Sequence, residues 1–527
     1  MKITGDNFIA GVPSAEGGIH FRGIDPRTHL EVEPAFTEAT SAEVDRAVTL
    51  AVEAFESYAR TTAADRAAFL RAIADELIAL GIELIDRAHL ETALPIPRLE
   101  GERGRTVGQL RLFASLLDEG SWVDARIDRG DPSRTPLPKP DLRRMLVPLG
   151  PVGVFGASNF PFAFSVAGGD TASALASGCT VVCKGHPAHP GTSELAGRAI
   201  DRAAQSCGLP RGVFSLLHGW SHEVGLAIVR HPNIMAVGFT GSLRGGRALF
   251  DAAAARPNPI PVYAEMGSVN PVFLLPSAVK ERGAAIGQGL AASITMGTGQ
   301  FCTNPGIIVG VRDTSFDTLE TMLAARISAT DASVMLYPQL SATYGIAVSR
   351  AEQHGASITA RAVTDDAHRS TPALLRVDAA QFVAQSELRE EMFGPVSVVV
   401  GAGDALEMER VAEVLEGQLT ATIHGTPDEL REHHRLVEIL QGKVGRLLFN
   451  GYPTGVEVGH AMQHGGPYPA STDSRSTSVG SAAIARFVRP LCYQDFPDDA
   501  LPAQLRNKNA GGIWRLVDGS LTRDDVQ

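Results

Sequence analysis

Cys302, in MGTGQFCTNPG, lies between a glycine-rich turn and the apolar run IIVGV (307–311). Such a setting can hold a thiol at the mouth of a cleft, where it adds to an aldehyde carbon with less need of a strong base than a serine has. Glu265, in VYAEMGSVNP, ends another short apolar run. A carboxylate at the carboxyl edge of a parallel sheet faces the ligand crevice and can take a proton from a thiol or a water. Asn159, in VFGASNFPF, follows a third run, and its amide could join the Cys302 backbone N–H in holding an oxyanion. Lys184, in VVCKGHPAHPGTSE, is placed to hydrogen-bond ribose hydroxyls. In FTGSLRGGRAL, the residues Gly241, Ser242 and Gly246 mark a strand turning into a helix whose N-terminus can face a phosphate, although this is not the GxGxxG fingerprint. Taken singly, each residue has a plainer reading: a buried filler cysteine, a salt-bridged glutamate, a turn asparagine, a solvated lysine.

These residues need a scaffold, and the patterning supplies one. Residues 41–120 carry apolar positions at three- and four-residue spacing, which predicts helices, with Thr40 or Ser41 as the first cap. Residues 126–142 are charged and proline-rich and read as a linker or projecting arm. From 144 to 266, five apolar runs (RMLVPLGPVGVFGA, CTVVCK, GVFSLLHG, IMAVGFTG, IPVYAEMG) alternate with helical stretches, the signature of a parallel sheet covered on both faces. A second α/β region is expected over about 267–478, ending in a loop rich in Gly, Pro, Ser and Thr. After it come a strand in ARFVRPLCYQDF and a terminal extension.

With 527 residues, 44% hydrophobic and 20% charged, the chain reads as a globular protein of two or three domains. The net charge of −12 offers no basic surplus for nucleic acid. Five sparse cysteines point to a reducing compartment. No signal peptide or apolar run of about eighteen residues is seen, so a cytoplasmic protein without a membrane partner is expected. The histidines show no metal-ligand spacing, and no metal is expected.

The segments FGASNFPF, CKGHPAHP, FTGS, AEMGSVNP, GQFCTNPG and EEMFGPV occur in the order and approximate spacing of the aldehyde dehydrogenase superfamily, over about residues 20–500. The resemblance implies a Rossmann-type cofactor domain (1–128 and 147–266), an α/β catalytic domain (267–478), a small β oligomerisation arm (129–146 and 479–495) and a C-terminal extension (496–527). It implies a homodimer or homotetramer. It further implies Cys302 as nucleophile, Glu265 as general base, Asn159 as oxyanion donor and Lys184 as ribose ligand. Glu391 and Phe393 of EEMFGPV would hold the nicotinamide ribose, and Phe155, Ser158, Gly241, Ser242, Gly246, Met266 and Gly267 would line the rest of the cofactor site.

Departures from the common family pattern sharpen the expectation. Pro187 stands where many NAD-using relatives carry a glutamate, which removes a repulsion against a 2′-phosphate; NADP is favoured, with NAD possible. His186, His189 or His222 could approach that phosphate, or be surface histidines. CKGHPAHPGTSE, QHGGPYPASTD and IWRLVDGSL are similar to the 2,5-dioxovalerate (α-ketoglutarate semialdehyde) dehydrogenase branch and also resemble a bacterial NADP-dependent long-chain aldehyde dehydrogenase. His464, in AMQHGGPYPAS, either assists thiol deprotonation or water activation, or orders the glycine-rich turn. A substrate with a far carboxylate needs a cation, for which Arg475 is one candidate. The retained Glu265 favours hydrolysis over transfer of the acyl group to CoA or phosphate, and the retained set of four argues against a non-catalytic scaffold.

Overall fold

The computed structural model describes residues 2–526. All five expected runs form parallel strands of one sheet, in the order Val262–Glu265, Ala236–Thr240, Val152–Phe155, Val181–Lys184, Phe214–Leu217, extended by the antiparallel pair Asn7–Ile9 and Val12–Ser14. Alternate strand residues face opposite sides. Val152, Val154, Val181, Cys183 and Leu216 pack under the helices Ala63–Ala79, Ile96–Glu119, Gly169–Ser177 and Pro190–Ser206. Val182, Leu217, Val237 and Val262 pack under Ser41–Tyr58, Glu223–Arg230 and Leu243–Ala254. The helix Ser41–Tyr58 starts where its chemistry dictates: Thr40 Oγ1 accepts the Glu43 N–H (3.1 Å), and Glu43 accepts the Thr40 N–H (2.8 Å).

A second seven-stranded sheet runs Ser357–Arg361, Ala373–Asp378, Val396–Ala402, Ile307–Val311, Val272–Leu274, Gln418–His424, Val444–Phe449, parallel except at the first pair. The fold is therefore α/β, with two sheets each buried on both faces.

The run 144–155, expected as one strand, is split. Leu142–Pro148 turns away into a separate five-stranded sheet, and Val152–Phe155 enters the first one. Gly150 at φ +138°, between Pro148 and Pro151, breaks the run, since the prolines remove two donors and only glycine suits that backbone. The five-stranded sheet orders Val488–Gln494, Leu142–Pro148, Arg126–Asp128, Arg515–Val517 and Ser520–Thr522, so residues beyond 496 join it rather than trail from it. Among the described residues, no helix is long and apolar enough to cross a membrane.

Gly246 ties the helix Leu243–Ala254 to the sheet: a Cβ there would stand 2.6 Å from Met266 Sδ and 3.2 Å from Ala264 Cβ. Gly246→Val should lower stability by about 1–3 kcal/mol through overpacking. It should also weaken dinucleotide binding by moving the helix N-terminus, which thermal melts and cofactor titration would measure together.

Candidate active site

The chain reaches Cys302 through three successive left-handed residues, Gly297 (φ +55°), Thr298 (φ +60°) and Gly299 (φ +63°). Gly299 admits no side chain, because a Cβ would lie 2.2 Å from the Gly394 carbonyl oxygen. The loop is then pinned from below. Asn270 Nδ2 donates to the carbonyls of Cys302 (2.8 Å) and Asn304 (2.9 Å), and Asn304 Nδ2 donates to Gly394 O (3.1 Å). Asn270 is fully buried at φ +44°, a conformation that asparagine tolerates. It is not among the residues singled out from sequence, although VNP (269–271), shortly after the glutamate, was the available signal.

Glu265 closes the edge strand of the first sheet, and a loop from the other half crosses it. Met266 N–H donates to Ala470 O (2.8 Å), Thr472 N–H to Ala264 O (3.1 Å) and Ala264 N–H to Thr472 Oγ1 (2.9 Å). This crossing brings His464 and Ser478 to the carboxylate. His464 Nε2 stands 3.4 Å from Cys302 Sγ and 3.0 Å from Glu265 Oε1, the latter not aligned as a hydrogen bond. Ser478 Oγ donates to Glu265 Oε2. Glu265 and His464 are buried.

Burial alone would raise the Glu265 carboxyl, but His464, Ser478 and the Cys302 thiol outweigh it and hold the group below the usual carboxylate range. Burial, then the Glu265 charge beside it, pushes the Cys302 thiol well above its ordinary value, and Arg105 partly offsets this. The resting site therefore holds a thiol, a carboxylate and an imidazole able to pass a proton between them. The three ligand-type atoms lie within 4.8 Å of one another, a set that a thiophilic metal ion could bridge.

Asn159 is buried, with its amide donating to Gln300 O (3.1 Å), two residues before the thiol. Its own carbonyl accepts from Arg98 (2.8 Å). On one side of the sulfur lies a cavity of about 260 Å³ whose lining includes Cys302, Phe160, Phe164, Phe301, Arg98 and Arg105. The two arginines were not singled out from sequence. Arg475, which was, is 89% exposed in its side chain and pairs with Asp473 (3.1 Å), away from that cavity.

A separate narrow crevice, which shares Phe301 with the cavity, is lined by Glu391, Phe393, Met392, Ser268 and Gly299. Burial lifts the Glu391 carboxyl to about 7. A Cβ on Gly267 would lie 2.4 Å from Glu391 Oε2, so glycine leaves that oxygen its space. Lys184 Nζ donates to Gly219 O (2.8 Å), and burial brings it down to about 8. Ser242 caps the helix Leu243–Ala254 by accepting the Gly245 N–H (3.2 Å). Gly241 N–H donates to Glu265 O (3.0 Å). Phe155 packs near Phe239 (6.3 Å between centroids), Met266 is buried beneath Gly246, and Ser158 acts on the Tyr337 hydroxyl, lowering its pKa against the rise from burial. A lysine at a strand end, a capped helix N-terminus and a spaced carboxylate together fit a dinucleotide. The histidines contribute less charge than expected. His186 stacks on His189 (5.5 Å) and burial keeps it well below its usual value, hence neutral, while His222 is exposed at the start of Glu223–Arg230.

Replacing Asn270 by alanine should leave two buried carbonyls unpaired, cost about 1–3 kcal/mol and change the rate at which iodoacetamide alkylates Cys302. Melting and alkylation kinetics of Asn270→Ala would read both.

Residues 14–487 match the model of the aldehyde dehydrogenase family. Over 522 residues the chain is 51% identical to an α-ketoglutaric semialdehyde dehydrogenase of Azospirillum brasilense, covering 98% of this chain and 99% of that one. It is 45% identical over 525 residues to another from Acinetobacter baylyi, covering 99% and 98%. In fold it is similar to a betaine aldehyde dehydrogenase of Staphylococcus aureus solved with NAD+, at TM-score 0.81 and 20% identity over 94% of this chain and 96% of that one. Family match, near-full-length identity and the α/β framework agree: the chain belongs to the aldehyde dehydrogenase family.

Proposed function

We propose that the chain oxidises α-ketoglutaric semialdehyde to 2-oxoglutarate through a thioester on Cys302, with NADP as the preferred cofactor and NAD as the lesser one. The observation that carries the chemistry is the contact of Cys302 Sγ with His464 Nε2, itself 3.0 Å from the Glu265 carboxylate, at the end of a cavity. The names of the two relatives at 51% and 45% identity support the substrate. Pro187, in place of a carboxylate near Lys184, supports NADP.

The residues divide the work as follows. His464 Nε2 takes the thiol proton, and the resulting imidazolium is stabilised by Glu265. The sulfur adds to the aldehyde carbon, and the oxyanion is held by the Asn159 amide and the Cys302 backbone N–H. The nicotinamide, when bound, supplies the hydride acceptor. Lys184, Glu391 and Phe393 would hold its riboses, and the Ser242 end of Leu243–Ala254 would face its phosphates. Glu265 then draws a proton from a water, which attacks the thioester and releases the carboxylate and the thiol. The strand Val488–Gln494 forms the outer edge of the five-stranded sheet. An unpaired edge of this kind supports a homodimer or homotetramer assembled through the arm.

Cys302→Ala should abolish oxidation while NADPH still quenches tryptophan fluorescence; full activity would remove the assigned nucleophile. Glu265→Gln should keep a single-turnover burst of reduced cofactor but lose about 10²–10⁴ in steady-state rate. Removing that negative charge should also move Cys302 alkylation to lower pH, because the carboxylate now raises the thiol. A kcat/KM for NAD above that for NADP would reverse the cofactor assignment.

A further inference from the structure

Two guanidiniums in the cavity beside Cys302 lack the partners that buried cations require. Arg98 spends its NH2 on Asn159 O, leaving Nε and NH1 buried without a partner. Arg105 spends its NH1 on Val456 O, leaving Nε and NH2 in the same condition. They stand seven residues apart on the helix Ile96–Glu119, hence on one face of it, and both line the cavity. Arginine cannot escape burial by losing its proton.

The anion between them on the helix, Glu102, does not answer both. Its Oε1 accepts the N–H groups of Phe162 (2.8 Å) and Ala163 (3.0 Å), and no oxygen of it lies within ion-pairing distance of either guanidinium among the described pairs. Burial raises the Glu102 carboxyl, which makes it a weak counter-charge for two guanidiniums, and Glu457 and Glu265 act on Arg105 only through space.

Aromatic faces hold the cations in place. Arg98 sits over Phe160 (5.2 Å) and Phe301 (4.8 Å), and Arg105 over Phe164 (5.7 Å). Guanidiniums held over aromatic rings, with donor nitrogens that lack a partner, suit recognition of a carboxylate. Arg446 fixes the wall opposite by donating to Pro453 O (2.8 Å) and Gly455 O (3.2 Å).

We infer that Arg98 and Arg105 form the subsite that receives the carboxylate of an ω-oxo acid whose aldehyde carbon meets Cys302, and that they thereby set the specificity of the enzyme. The inference rests on the substrate reading above. It adds the residues that enforce it: four donor nitrogens of the two guanidiniums are buried without a partner, an uncharged tail brings them no acceptor, and a carboxylate in the cavity brings two acceptor oxygens and the opposite charge.

The test compares kcat/KM for α-ketoglutaric semialdehyde, succinate semialdehyde and pentanal in the wild type, Arg98→Met, Arg98→Lys and Arg105→Met, with melting curves alongside. The readout is the ratio of carboxylated aldehyde to pentanal, which a loss of stability or of thiol reactivity alone does not move. Each methionine variant should lower that ratio on the order of 10- to 100-fold, mainly through KM. Arg98→Lys should recover part of it. Inhibition by 2-oxoglutarate should weaken in parallel, which also covers a variant too unstable for full kinetics. Ratios within threefold of wild type would overturn the subsite. So would a wild type with no preference for either carboxylated aldehyde over pentanal. A wild type that prefers succinate semialdehyde, with a ratio still lost in the variants, would sink the substrate reading and leave the subsite standing.

Discussion

The site depends on one crossing: the loop 464–478, which follows the second sheet, pairs its backbone with the edge strand Val262–Glu265 of the first. Glu265 belongs to one half of the molecule, Cys302 to the other, and His464 and Ser478 to the loop between. Without those backbone bonds nothing would hold an imidazole in contact with both a thiol and a carboxylate. The crossing also buries the carboxylate and the imidazole, which raises the strength of every charge interaction among them. The crevice at Glu391 and Phe393 and the cavity at Arg98 and Arg105 both include Phe301, so the two spaces meet at the residue before Cys302.

The resting electrostatics guard the thiol rather than ionise it. Burial and the Glu265 charge push it up, Glu391 adds to that push, and Arg105 alone among the named causes opposes them. Glu391 itself is held at about 7 by burial. Protonation of Glu391 removes one of the charges that raise the thiol. Glu265 is held below the usual carboxylate range by its contacts with His464, Ser478 and Cys302.

The sequence made the first sheet legible because its strands are short apolar runs separated by amphipathic helices, and it singled out Glu265 at the end of such a run and Cys302 between a glycine-rich turn and another. Positions that depend on tertiary approach were not legible. The split at Gly150 carries a local signal, PLGP inside the apolar run, but which sheet each half joins depends on tertiary approach. Arg515–Val517 and Ser520–Thr522 are too short and mixed to stand out as strands, and they owe their pairing to Arg126–Asp128. Ser478 approaches Glu265 only through the crossing loop. Arg98 and Arg105 sit in PRLEGERGR, where alternating charges read as a solvated helix face; only the packing of Phe160, Phe164 and Phe301 shows that the face is inward.

The same three phenylalanines bear on the choice between a carboxylated and a long-chain aldehyde, which the sequence strings alone left open. A ring of aromatics beside a reactive thiol would suit an alkyl chain if the ring faces were free. Here guanidiniums lie 4.8–5.7 Å from the ring centroids and cover them. An alkyl chain would then meet cations that cannot lose their charge, with buried N–H groups it cannot pair, a penalty that recurs at every turnover. A short oxo acid reverses the balance, since its carboxylate replaces the missing partner and its few methylenes need little apolar surface. The aromatics thus act on specificity through the cations they orient.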